Sequence, residues 1–88
     1  MKPRVERPSW HERAGRERKM AVLVPAVEAL ASATGRDPVD LAEHLTADEW
    51  AVIAAKESLD RDEKINPPSG TTITLMIGAL RERSRRSA

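Results

Sequence analysis

The chain contains no phenylalanine, tyrosine or cysteine, and its only aromatic residues are Trp10 and Trp50. The apolar share of 40% is therefore drawn almost wholly from Ala, Val, Leu, Ile and Met. Side chains of this size give a core with little volume per residue, which favours closely packed helices. Such a core implies marginal stability or completion by a partner. At 88 residues the chain makes one domain, because a smaller unit would bury too little apolar surface to offset its conformational entropy. Without cysteine there is neither a disulfide nor a thiolate metal site, and nothing points to an oxidising compartment.

Local signals then divide the chain. Residues 1–8, with Pro3 and Pro8, read as an extended arm. Ser9 followed by Glu12 has the spacing of a capping box, so a helix is expected to start at Trp10. Pro25 removes one backbone donor and crowds the carbonyl four residues back, which predicts a kink or break near 21–24 and a second helical piece reaching Ala33. Gly35 is the expected stop. Asp37 and Pro38 then suit the cap and first position of a short helix carrying Val39, Leu41, Ala42 and Leu45.

Thr46 and Glu49 form a second capping box. The helix they open places Trp50, Ile53 and Ala54 on one side with Val52, Ala55 and Leu59 adjoining, and carries Lys56–Asp60, Glu57–Arg61 and Asp60–Lys64 pairs at i, i+4. Residues 66–70 read as a loop, because two prolines and a glycine leave no regular option. Beyond it, Ile73, Met76, Ile77 and Leu80 follow the helical spacing, against a competing strand-like alternation over 71–75. Helix is favoured, since the segment continues into good helix formers. The expected fold is all-α: a bundle of four to five helices with a Pro-interrupted first helix and Arg-rich ends. A domain over 9–83 would be flanked by the arm and by a basic tail over 84–88.

Charge is distributed in blocks. Residues 1–20 carry seven Lys/Arg against three Asp/Glu, residues 21–63 three against ten, and residues 64–88 five against one. Two ends that attract anions and a middle that repels them point to binding, not catalysis. His11 and His44 stand outside any metal-ligand spacing, and the adjacent Glu43 and His44 point about 100° apart on a helix. The four glycines form no phosphate-cradling loop, and Asp60, Asp62 and Glu63 lack the ligand ladder of a calcium site. The chain reads as a non-enzyme without cofactor or metal.

The cations are the candidate binding residues. Arg81, Arg83, Arg85 and Arg86 should project beyond Leu80, the last apolar anchor, and contact phosphates without being desolvated. Arg13, Arg16, Arg18 and Lys19 repeat the pattern, diluted by Glu12 and Glu17. Single strands are usually stacked on exposed aromatics, which this chain almost lacks, so duplex DNA is the expected nucleic-acid partner. The alternative is an adaptor that binds another protein, of the kind a phage or plasmid uses as an accessory factor. It would act through the acidic middle or an apolar helix, with the aliphatic stripes beside Pro25 as the expected exposed surface.

Residues 41–83 resemble in part the ribbon-helix-helix repressors, through LTADEWAVI and IGALRERS. The KINPPSGTT connection and the helix signals around Pro38 depart from that pattern. The resemblance implies a short strand ahead of the first shared helix, an intertwined homodimer and DNA binding. The longest apolar stretch, Met20 to Val27, is far shorter than the roughly 20 residues needed to cross a bilayer and contains Pro25. No membrane partner is expected, and a cytoplasmic location is the default.

Overall fold

The computed structural model describes the backbone of residues 10–87 and the side chains of residues 13–86. The arm over 1–8, the Ser9/Glu12 capping box and the side chain of Trp10 lie outside the described residues. Four helices follow in order: α1 (Trp10–Thr34), α2 (Pro38–His44), α3 (Ala47–Arg61) and α4 (Gly70–Ser87). The described residues contain no strand. The strand implied ahead of α3 is replaced by α2, whose cap and proline start a helix there.

The expected break at Pro25 does not occur. Pro25 lies inside a single 25-residue α1, which leaves four helices among the described residues, not five. Pro25 and Ala21 are both exposed, so the carbonyl that loses its intrahelical donor is on the water-facing side. Val22, Leu23, Val24 and Val27 around the proline are buried. Their burial against the other helices outweighs the local cost of the ring, which is about 3 kcal/mol in a helix interior.

The helix ends follow their local chemistry. Gly35 takes the left-handed conformation (φ 71°). Its N–H donates to Ser32 O, and the Arg36 N–H donates to Ala31 O at 2.8 Å, a Schellman stop. Asp37 caps α2 by accepting the Asp40 N–H at 3.0 Å, with Pro38 as the first helical residue. Thr46 and Glu49 form the reciprocal capping box of α3. Asp62 closes α3 in the left-handed region, and the Ser58 hydroxyl then accepts the Ile65 N–H at 2.8 Å, turning the chain back under the helix. Ser69 Oγ accepts the Thr72 N–H at 3.3 Å and its carbonyl accepts from Ile73, starting α4. Helix thus prevails over strand at 71–77.

α1 packs against each of the other helices, and α4 also packs against α2. Among the described residues the backbone of α3 comes close to α1 alone. The core draws Val22, Leu23, Val24, Val27 and Ala31 from α1, Leu41 and Ala42 from α2, Trp50 and Ala54 from α3, and Met76 and Leu80 from α4. Ile65, from the segment between α3 and α4, completes it. Trp50 is the largest fully buried side chain among the described residues. Val22, Leu23, Val24, Val27 and Ala31 beside Pro25 are core, whereas Ala29 and Leu30 of the same stripe are exposed, so only that part of the expected apolar surface is open.

Candidate functional site

The helices carry the cations to separate places. Arg13, Arg16 and Arg18 are exposed on the first half of α1, and the half-buried Lys19 donates from Nζ to Pro67 O at 3.4 Å. Arg18 makes a two-pronged contact with Glu63, Nε to Oε2 at 3.0 Å and Nη2 to Oε1 at 2.7 Å. Arg81 and Arg83 do not project freely. Arg81 donates to Glu43 at the end of α2 at 2.8 Å, and Arg83 grips both oxygens of Glu28 on α1 at 2.7 and 2.8 Å. Arg85 stands 3.5 Å from Glu82. Arg13, Arg16 and Arg86 have no ion-pair partner among the described residues. Arg18 and Glu28 are separated by about 15 Å of helix rise, so the two clusters are anchored at different stations along α1.

These long-range clasps join the basic ends to the acidic middle. The Arg18 hydrogen bond, aided by the attraction of Arg18 and Arg61, holds the Glu63 carboxyl below its ordinary value against the opposing push of desolvation. The same contact raises Arg18, and the hydrogen bond to Glu28 raises Arg83. A depressed carboxyl contributes stability that is present above its ordinary value and lost as pH falls through the depressed one. A carboxylate-detected NMR titration should therefore find the Glu63 midpoint below about 4.3, the ordinary glutamate value. In Arg18→Gln the midpoint should move up. An unchanged midpoint would mean the clasp does not form in solution.

Two surfaces remain. The first is a hollow of ≈ 410 Å³ between α1 and the segment after α3, lined by Gly15, Arg16, Arg18, Lys19, Glu63, Lys64, Ile65 and Asn66. Among the described residues its rim carries four cations and one acid. Lys64 was not among the candidate binding cations read from the sequence, because only the fold carries it to α1. Glu17 lines a different hollow, with Met20, Ala21, Val24, Pro25, Ala79 and Arg83.

The second surface is apolar. Two adjoining hollows of ≈ 290 and ≈ 370 Å³ share Leu30, Val52 and Ile53. One extends to Leu45, Asp48 and Glu49, and the other to Ala26, Ala29, Lys56 and Glu57. Val52 is 67% exposed and Leu59 84%, with Ala55 also exposed between them. Their i, i+3, i+7 spacing makes a straight seam on the side of α3 that α1 does not cover. At the low end of ligand-pocket volumes and open to solvent, the pair suits side chains of a macromolecule better than a small molecule. Lys56 is tied to Asp60 at 2.8 Å and Glu57 to Arg61 at 3.0 Å, whereas Asp48 and Glu49 have no cationic partner among the described residues. No Asp60–Lys64 pair is present there either.

Glu43 and His44 are engaged separately, Glu43 by Arg81 and His44 through Nδ1 with Asp40 O at 2.8 Å. Among the described residues no cluster of three His, Asp or Glu is placed to share a metal ion, and no helix is long and apolar enough to cross a membrane. No protein-family model, no curated protein and no solved structure matches the chain. The geometry defines a small all-α unit with an apolar face and a cationic hollow at different stations along α1.

Proposed function

We propose that this chain is a non-enzymatic adaptor whose α1–α3 face receives a cationic amphipathic segment of a partner protein. The observation that carries the reading is the seam Val52, Ala55 and Leu59 beside the Leu30–Ile53 groove, left bare because, among the described helices, only α1 brings its backbone close to α3. A helix laid in such a groove buries its apolar side on the seam. Asp48 and Glu49, acids without a cation at one end of the groove, select a partner with Lys or Arg beside its apolar stripe. A second copy suits the face less well. Two-fold pairing of α3 centred between Ala55 and Lys56 would set Asp48 and Glu49 against the copy's Glu63 and Asp62, acid on acid.

The reading is tested by placing a photo-crosslinking side chain at Val52 and, separately, at Arg86 in cells that make the protein. A discrete protein adduct from position 52, lost when Leu59 is also changed to Asp, is expected. Nuclease-sensitive adducts from position 86, with none from position 52, would reverse the assignment.

The reading reversed in that case is duplex DNA binding through phosphates, favoured by Arg13, Arg16 and Arg86, which have no ion-pair partner among the described residues. It carries a quantitative expectation. If all four C-terminal arginines engage, a chain ending at Leu80 should lose about 3.6 from the slope of log affinity against log salt. If the Glu43 and Glu28 clasps hold Arg81 and Arg83 back, the loss should be about 1.8. Duplex binding measured across a salt series distinguishes the two, and no binding at low salt removes this reading.

A further inference from the structure

We infer that the hollow between α1 and the segment after α3 is a binding site for a phosphate-bearing ligand. This proposal is independent of the adaptor reading. Among the described residues, Arg16, Arg18, Lys19 and Lys64 line one hollow with Glu63 as its only acid, an excess of three positive charges. The fold achieves this sorting by bringing Lys64 to α1 and by turning Glu17, the acid interleaved with these cations in the sequence, toward the other hollow beside Arg83. Like charges held together repel one another, and a multivalent oxyanion relieves that repulsion while accepting their hydrogen bonds.

Glu63 acts in this site as a built-in substitute for the ligand. Its two oxygens occupy the Arg18 guanidinium fork at 2.7 and 3.0 Å, the same two-pronged geometry that a phosphate takes. Arg16 and Lys64 have no ion-pair partner among the described residues, and Lys19 makes only the 3.4 Å contact with Pro67 O. A bound phosphate therefore meets three cations directly and competes with Glu63 for the fourth. The consequence is specific: removing the Glu63 charge should strengthen binding, whereas an ordinary surface acid at the edge of a nonspecific basic patch would not be tied to one arginine in this way.

The test is titration of the full chain with inorganic pyrophosphate, followed by amide NMR, against chloride at matched ionic strength. Shifts confined to residues 15–19 and 63–66 are expected, with Arg16→Ala and Lys64→Ala each weakening binding about two- to fivefold. Glu63→Gln should tighten it by a similar factor. All three positions are on the surface, and unchanged circular dichroism confirms that each variant folds. A short DNA duplex forms the second arm. Pyrophosphate binding that the duplex cannot displace identifies a free phosphate compound, and displacement by the duplex at the same resonances identifies a nucleic-acid backbone. Shifts no larger than those from chloride, shifts centred on Arg85 and Arg86, or unaltered affinity in Glu63→Gln would each overturn the proposal.

Discussion

Trp50→Ala is expected to remove about 3 to 5 kcal/mol of stability, as large-to-small changes in a core do. Trp50 is 1% exposed and shares the core with residues from all four helices and with Ile65. There is no other described aromatic to take up the vacated volume. For 88 residues the whole stability is about 4 to 13 kcal/mol, so this one change brings the chain close to unfolding. Trp50→Phe should be far milder. The indole Nε1 is buried without a hydrogen-bond partner among the described residues. Phenylalanine loses part of the packed area but also removes that orphaned donor, whose burial costs about 1 to 3 kcal/mol. Denaturant unfolding followed by circular dichroism checks both. Full stability in Trp50→Ala would place the ring at the surface.

Pro25→Ala should act in the opposite direction, stabilising the chain by about 2 kcal/mol. Proline within a helix is about 3 kcal/mol less favourable than alanine. About 0.4 to 1 kcal/mol of that is returned because alanine leaves the unfolded chain freer. Pro25 is exposed, so the substitution opens no cavity in the core. For a domain of this size the gain corresponds to a rise in melting temperature of about 8 to 16 °C. A neutral or destabilising outcome would mean that α1 is interrupted near 21–24 after all, with the proline serving as the start of a second helix.

The contrast between Pro25 and the other helix signals shows what a sequence of this kind discloses. Gly35, Asp37–Pro38 and Thr46/Glu49 act through bonds to residues at most five positions away, and each does in the structure what its local chemistry dictates. The Pro25 penalty is equally local, but it is opposed by the burial of Val22, Leu23, Val24 and Val27 against helices far along the chain, which no window around the proline contains. The charge blocks put opposite charges in the basic ends and the acidic middle. Which residues pair was beyond reach, since Arg18–Glu63, Arg81–Glu43 and Arg83–Glu28 span 45, 38 and 55 positions.

The same limit applies to the two surfaces. Val52, Ala55 and Leu59 were visible as a group adjoining the Trp50 side of α3, and their own i, i+3, i+7 spacing was the signal for a separate stripe. That this stripe stays bare follows only from α1 being the one described helix whose backbone comes close to α3. Lys64 carried no signal for binding, because the sequence offers it only as a helix partner for Asp60, and the hollow forms only where the chain turns back along α1.

The proposed adaptor function is most directly tested by methyl-resolved NMR of the labelled protein added to a native, nuclease-treated extract of the cells that make it. Val52, Leu59 and Leu30 methyls should broaden selectively. Leu75, 44% exposed on α4 where α3 does not approach, should stay sharp as the internal control. The effect should vanish in Val52→Asp. Uniform broadening, or sharp Val52 and Leu59 signals alongside perturbation confined to the arginine-rich ends, would contradict docking on the α1–α3 face.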